Sequence, residues 1–390
     1  MNSISDGGAA GAEPSGQLKH TPLHDEAVAL GARMVPFADW RMPLHFGSVL
    51  TEHLAVRERA GVFDVSHMGR FLIEGPDARR FILRLTPARS AAMTPGKALY
   101  TILLQDQAGI LDDLLVYTLG DSRFLLVVNA ATRARDWDWM AGVREREGFD
   151  ARMTDLSADL AMVALQGPLA ASLMSRVMPS VPLDDFYFYE HRYSPDEPLL
   201  VGRTGYTGED GFEIIAPNDR VKQFWHEALE AGAQPCGLGC RDTLRLEMAY
   251  PLYGSDIDDH TTPIEAGLGW TVDWERRDFI GAEALHAARN TPPSRQLVRL
   301  RLEEKGVPRH GCPILLDGRP VGEVTSGGFS PTLQAGIAMG YIRGAENINT
   351  IKAAAAAHED PALAVGIRGQ AVPAGLVKRS FVPPRSRNRK

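Results

Sequence analysis

Three segments combine residue types and spacings that could do chemistry. In Gly109-Ile110-Leu111-Asp112-Asp113-Leu114-Leu115-Val116-Tyr117, two adjacent carboxylates interrupt an apolar run. The run reads as a strand. Strand side chains alternate faces, so Asp112 and Asp113 point in opposite directions and at least one meets the core or a cavity. Burying a carboxylate without a partner is costly, so the placement demands a reason. The plain alternative is an edge strand with one aspartate in a local turn hydrogen bond.

The second segment is Thr204-Gly205-Tyr206-Thr207-Gly208-Glu209-Asp210-Gly211-Phe212-Glu213-Ile214. Its three glycines permit a tight turn or a close approach of backbone to a ligand. Beyond the turn Phe212 and Ile214 share a face and Glu213 takes the other. A carboxylate there could accept paired hydrogen bonds from an amino-heterocycle; the alternative is a hairpin with surface acids. In the third segment, Gly237-Leu238-Gly239-Cys240-Arg241-Asp242-Thr243-Leu244-Arg245-Leu246-Glu247, Arg241 and Arg245 lie one helical turn apart. Two guanidinium groups there could hold a carboxylate; the alternative is an intrahelical ion pair involving Glu247 or Asp242. The glycines start like a dinucleotide fingerprint, but the third is missing and the segment is expected to follow a helix, not a strand. Histidines such as His45, His53, His67, His260 and His310 show no catalytic spacing, and there is no G-x-S-x-G, H-E-x-x-H or P-loop.

The elements that must position these residues can be read coarsely. Helices are expected from Asp25 to Leu30, stopped by Gly31, and from Ser48 through Arg57, closed by Gly61. A strand at Gly69–Glu74 leads to a helix capped by Asp77. Strands at Ala98–Leu104, Leu111–Tyr117 and Phe124–Val128 precede a helix over Thr132–Glu147, an order that suggests an antiparallel-rich α+β domain. Residues 151–250 repeat the theme, with a strand at 161–165, a hairpin over 198–215 and a helix from Val221 to Gly232. After a linker at Asn290–Ser294, short strands with Gly and Pro turns run to Val382, as in an all-β barrel or sandwich. The run Ala353–Ala357 fits a loop or a short surface helix. Residues 1–17 are expected to be a disordered tail and not a secretory signal, and 384–390 a mobile basic end.

At 390 residues the chain has room for two or three domains, and 44% hydrophobic with 23% charged residues is ordinary for a globular protein. A formal net charge of −7 argues against a general nucleic-acid binder. No apolar run reaches the roughly 20 residues of a membrane span. Three cysteines, Cys236, Cys240 and Cys312, cannot build a disulfide framework, which points to a reducing, cytoplasmic setting. Cys236 and Cys240 have no neighbouring His or Cys to complete a zinc site, so no metal is expected.

The same segments resemble the glycine cleavage system T-protein (aminomethyltransferase) family, from about residue 18 to 382. The likeness runs through TPLHDEAVALGARMVPFADWRMPLHF, GVFDVSHMG, GKALYT, GILDDLLVY, LVVNAATR, ALQGP, TGYTGEDGFEI, GLGCRDTLRLE, PLYGSDID, KGVPRHG and GEVTSGGFSPTL, in order. The resemblance implies a three-domain, cloverleaf-like α+β fold: two interleaved α+β domains over 18–290 and a C-terminal all-β barrel over 291–383. It implies transfer of a one-carbon unit from the aminomethyl-lipoyl arm of H-protein to tetrahydrofolate, giving 5,10-methylenetetrahydrofolate, ammonia and dihydrolipoyl H-protein. H-protein would be the direct partner and the P- and L-proteins functional ones, with the chain itself a monomer. Among residues, the resemblance favours Asp113 as the acid near folate N10, with Asp112 as runner-up. It gives Glu213 as the pterin carboxylate and Arg241 as the residue meeting the folate tail. Tyr100 and Asn129 would line the folate cavity, with Tyr206 and Phe188 as further wall residues.

The chain also departs from the family pattern. Its C-terminal tail, Phe381-Val382-Pro383-Pro384-Arg385-Ser386-Arg387, has no tyrosine; Asp39 replaces the common glycine before Trp40; and residues 353–364 resemble an Ala-rich insertion. Two rival readings share the fold: a folate-dependent demethylase, and a non-catalytic folate-binding paralogue in iron–sulfur protein maturation. The comparable region here is Gly237-Leu238-Gly239-Cys240-Arg241 instead of the paralogue's Lys-Gly-Cys-Tyr-type motif, and a large flavin-bearing oxidase is not expected.

Overall fold

The computed structural model of the protein describes residues 17–194, 199–357 and 361–388. The expected N-terminal tail lies outside those residues except for Gln17.

Two antiparallel-rich sheets form the body. The first has five strands in the spatial order Ala98–Leu104, Ile110–Gly120, Arg123–Val128, Gly69–Glu74, Arg152–Asp155, every neighbour pair antiparallel. Helices Ala78–Leu85 and Arg133–Glu147 pack on its outer face, where Phe81, Ile82, Leu85, Met140 and Val143 are buried. Gly148 ends the longer helix with a left-handed backbone (φ 69°), the conformation a glycine adopts most cheaply. Asp77 stands at the N-terminus of the other helix, but no hydrogen bond of its side chain caps that helix. Its carboxylate instead accepts from the Asp150 backbone N–H at 3.0 Å, tying the helix to the loop before the last strand.

The second sheet has six strands, in the order His191–Ser194, Leu199–Gly202, Gly211–Pro217, Leu160–Gln166, Gly61–Asp64, Gln234–Cys236. Helices Ala170–Val177 and Asn218–Glu230 cover its outer face, where Phe212 and Ile214 meet Phe224 and Trp225. The strands Gly61–Asp64 and Leu160–Gln166 are hydrogen-bonded neighbours, yet the whole five-stranded unit lies between them in sequence. The chain leaves one sheet, builds the other and returns beside the strand it left, as the resemblance implied. Residues after 250 then go back to the first sheet, where Ile257, Leu268, Val272 and Phe279 bury Ile102, Leu104 and Ile110.

Two local expectations are corrected. Gly61 does not close a helix; helix Val49–Glu58, capped by Ser48 as expected, has already ended, and Gly61 opens a strand. Only glycine fits there, because a Cβ would lie 2.5 Å from Val56 Cγ2 and 2.6 Å from Cys236 Sγ. The segment starting at Gly237 follows a short strand, Gln234–Cys236, which runs parallel to Gly61–Asp64. The third glycine is still missing, so the dinucleotide reading fails on the motif and not on the preceding element.

The inner faces of the two sheets pack together through Tyr117, Leu125, Val127, Met162, Ala164 and Ile215, with Cys240 and Leu244 of helix Leu238–Glu247 closing one end. The third part is a closed barrel in the order Arg295–Leu302, Ala335–Arg343, Arg319–Ser330, Pro313–Leu316, Leu363–Ile367, Gln370–Leu376. The alanine run belongs to a 13-residue helix, Ala345–Ala357, which buries Ile348 and Ile351 in the barrel core. Among the described residues no helix is long and apolar enough to cross a membrane.

Candidate active site

Strand Ile110–Gly120 is an interior strand, not the edge strand of the plain alternative. Alternation works as expected. Leu114 and Val116 face the helices, with Asp112 on their side and fully buried, while Leu115 and Tyr117 face the other sheet, with half-buried Asp113 on theirs. The pairing Leu115↔Val127, continued by two residues, brings Asn129 opposite Asp113. From there the Asn129 amide nitrogen donates to Asp112 Oδ1 (2.8 Å) and Asp113 Oδ1 (2.9 Å), and its backbone N–H donates to Asp112 Oδ2 (3.0 Å). The Tyr100 hydroxyl, from the adjacent strand, donates to Asp113 Oδ2 at 3.0 Å. Burial, then the charge of Asp112, pushes the Asp113 carboxyl up to about 7, well above the ordinary carboxylate range.

Glu213 stands on the inner face of the six-stranded sheet, 3% exposed. Its Oε2 accepts from the Thr204 hydroxyl (2.6 Å) and the Tyr117 hydroxyl (3.3 Å). Among the described residues no protein donor reaches Oε1. Tyr117 and Thr204 were missed by sequence reasoning. The available signal was Tyr117's position four residues after Asp113, on the same strand face. Tyr189 was also missed: its backbone is left-handed (φ 64°), and its phenol, raised first by burial, feels Tyr250, Glu213 and Asp113. Phe188, the expected wall residue, lies edge-on to Tyr189 (4.5 Å) and donates its N–H to the Arg387 carbonyl (2.8 Å). Trp270, 64% exposed, stacks on Tyr100 at 5.6 Å.

The arginine pair does not act as a pair. Arg245 is spent on Asp242 (2.7 Å), Asp256 (3.0 Å) and the Ser326 hydroxyl of the barrel (3.0 Å). Arg241, half-buried, has no ion pair among the described residues; its guanidinium lies 4.9 Å above the Tyr206 ring. Tyr206 stacks on Tyr250 and donates to the Pro251 carbonyl, so the ring under Arg241 is fixed. His67 is held neutral by burial and by the charges of Arg241 and Arg70.

A buried ionic cluster holds these parts in place. Arg57 donates to Glu247 Oε2 (2.7 Å), Glu209 Oε1 (2.7 Å) and the Thr207 carbonyl (2.7 Å), joining helix Val49–Glu58 to the glycine-tipped hairpin and to helix Leu238–Glu247. Glu247 also accepts from Ser330 and Thr332 of the barrel. The tail expected to be mobile has fixed partners here: Arg385 donates to Glu209 Oε1 and to the Arg57 carbonyl (2.8 Å), because Glu209 is a buried carboxylate needing a second cation. Glu52, Cys236 and Cys240 gather within 4.8 Å, a trio that cysteine spacing alone did not suggest. Both Glu52 oxygens are taken up by backbone donors, Phe46 N–H (2.6 Å) and Gly237 N–H (2.9 Å), and burial raises the Cys240 thiol, so the trio reads as an interior packing cluster.

Two interleaved sheets, a closed barrel and buried carboxylates bonded to phenols define a three-part α+β enzyme. Residues 23–276 match the GCVT N-terminal domain, and residues 295–383 match the glycine cleavage T-protein C-terminal barrel domain. The chain belongs to the glycine cleavage T-protein family. It is 41% identical over 367 residues to an aminomethyltransferase of Picosynechococcus sp., covering 93% of this chain and 98% of that protein. It is 44% identical over 368 residues to one of Thermosynechococcus vestitus, covering 93% and 95%. The crystal structure of glycine cleavage system aminomethyltransferase T from Bartonella henselae is similar, with TM-score 0.86 and 34% identity over 95% of this chain and 100% of that one.

Proposed function

We infer that the chain moves a one-carbon unit from an aminomethyl group on the lipoyl arm of H-protein to tetrahydrofolate, yielding 5,10-methylenetetrahydrofolate, ammonia and dihydrolipoyl H-protein. The family supports the reaction class, and the observation that carries the residue assignment is Asp113: a carboxyl on the face toward the other sheet, held by Tyr100 and Asn129 and poised near neutrality. The exchange makes bonds from folate N5 and N10 to the transferred carbon and breaks that carbon's bonds to sulfur and to the amine. The two protons shed by the nitrogens leave on ammonia and on the thiol. A carboxyl with a pKa near the working pH suits an acid that takes a proton from the N10 side and passes it on.

The other residues fit a folate. Glu213 offers one unengaged oxygen to the donor edge of a pterin, while Thr204 and Tyr117 fix its other oxygen. Arg241, stacked on Tyr206 and otherwise unpaired among the described residues, suits the glutamate carboxylates of the tail. Tyr100 and Asn129 act through Asp113, Asp112 stands behind it, and Tyr206 and Phe188 belong to the wall. In this reading the chain works as a cytoplasmic monomer with H-protein, and with the P- and L-proteins as functional partners.

The test is a reconstituted assay with tetrahydrofolate and aminomethylated, lipoylated H-protein, following methylenetetrahydrofolate and ammonia. Asp113→Asn is expected to keep folate binding and to lose roughly 10²–10⁴ in turnover. Full turnover in Asp113→Asn with Asp112→Asn inactive would move the acting role to Asp112.

A further inference from the structure

We propose that Asp136 is a positioning residue, a neutral carboxylic acid whose proton is donated to Asp112 and so fixes the charge of the Asp112–Asn129–Asp113 unit. Asp136 lies in the first turn of helix Arg133–Glu147, fully buried. Its carboxyl is in hydrogen-bonding contact with that of Asp112. No N–H among the described residues is bonded to either of its oxygens, and the Thr132 hydroxyl is the one neutral donor beside it.

The nearby groups cannot neutralise a second charge. Arg135, on the same helix, keeps its Nε 3.9 Å from Asp136 Oδ1 and commits its terminal nitrogen to the Leu111 carbonyl and the Tyr253 hydroxyl. Tyr253, which takes the Arg135 terminal nitrogen, is a neutral phenol that itself feels the acids Asp259 and Asp112. Thr132 has one hydroxyl proton, for which the Asn129 carbonyl (3.2 Å), Asp112 and Asp136 compete, so it cannot satisfy a second buried anion. Among the described residues Arg135 is the one cation near the two touching carboxyls, 3.9 Å from Asp136 and without a hydrogen bond to either, too weak a partner for both to ionise in the interior. Asp112 already accepts two N–H bonds, at 2.8 and 3.0 Å, which favour its anion. Asp136 accepts none, so the proton belongs to Asp136. Burial and the Asp112 charge push its carboxyl far up in the same direction.

The consequence falls on Asp113. With Asp112 held anionic, its charge keeps Asp113 near neutrality. That step rests on the reading of Asp113 as the acting acid; the protonation of Asp136 does not. Infrared difference spectroscopy of the full-length protein, at a pH where Asp113 is ionised, is expected to show the carbonyl stretch of one protonated carboxylic acid, which disappears in Asp136→Asn. In the reconstituted assay, Asp136→Leu is expected to move the pH–rate limb down by roughly one unit or more, as Asp112 captures a proton and its charge is lost. Asp136→Asn, which can still donate, is expected to restore that limb. No protonated band in the wild-type protein, or a band that survives Asp136→Asn, overturns the proposal even if Asp136→Leu does not fold. A limb unmoved in a folded Asp136→Leu protein overturns the coupling. If Asp113→Asn keeps full turnover while the band behaves as expected, only the choice of Asp113 as the acting acid fails.

Discussion

Asp113 depends on what touches it. Burial and the charge of Asp112 raise its pKa, while the Tyr100 hydroxyl, donating at 3.0 Å, pulls it back by favouring the ionised form. An acid raised from 3.8 to about 7 is protonated below that value and ionised above it. Turnover needing the ionised form therefore rises through neutrality. Tyr100→Phe removes a donor to the anion and is expected to move the midpoint of kcat/KM for tetrahydrofolate upward by roughly half a unit to one unit. A midpoint that stays put would disconnect Tyr100 from the titration. The opposed faces of Asp112 and Asp113 were legible from strand alternation. The single amide that ties both together was not, because it depends on strand register two residues beyond the last paired position.

The acid strand enters through a close contact at its first residues. A Cβ on Gly109 would sit 1.9 Å from the Asp259 carbonyl oxygen, and backbone cannot yield as a side-chain tip can. Gly109→Ala is expected to cost roughly 1–3 kcal/mol and to shift the two aspartates, so thermal unfolding and turnover should fall together. Gly142→Ala is the contrast: the site is inside helix Arg133–Glu147 with open space around it, and about 0.5–1 kcal/mol of stabilisation is expected with turnover unchanged. Equal effects at the two sites would refute the steric argument. At this scale the glycine-tipped hairpin and most strands of the first sheet were readable from periodicity. The three-residue strand Gln234–Cys236 was not, since so short a run with a proline shows no alternation and exists only because Gly61–Asp64 offers it a parallel partner.

Across the whole molecule, Glu247 is the carboxylate that joins body and barrel. Burial would raise its pKa, but His53, the Arg57 charge and the Ser330 bond outweigh that and hold it down to about 2. A carboxyl depressed from 4.5 contributes stability that is present above the unfolded value and is lost as pH falls through about 2. Glu247→Ala leaves Arg57 with Glu209 and the Thr207 carbonyl on one nitrogen and with its Nε and other terminal nitrogen unpaired in the interior, and is expected to cost roughly 3–5 kcal/mol. Denaturant titrations at neutral pH and near pH 3 test both statements: the variant should lose stability at neutral pH and should show less of the wild-type decline in acid. A variant as stable as wild type would mean that apolar packing alone holds the barrel in place.

By itself the sequence determined most element types, the change to an all-β C-terminal part, the opposed faces of the two aspartates and, through motifs in order, the family. Those properties are local: they follow from alternation, turn residues and segments that survive as words. Only the tertiary structure decided that Arg245 is consumed by Asp242 and Asp256 while Arg241 stays free of ion pairs among the described residues, that Tyr117 and Thr204 hold Glu213, and that Arg385 of the tail pairs with Glu209. These pairings join residues that the interleaving of two sheets brings together from distant parts of the chain. Spacing in sequence carries no record of which buried charge finds which partner, because that choice is made by packing and by the cost of leaving any of them without one.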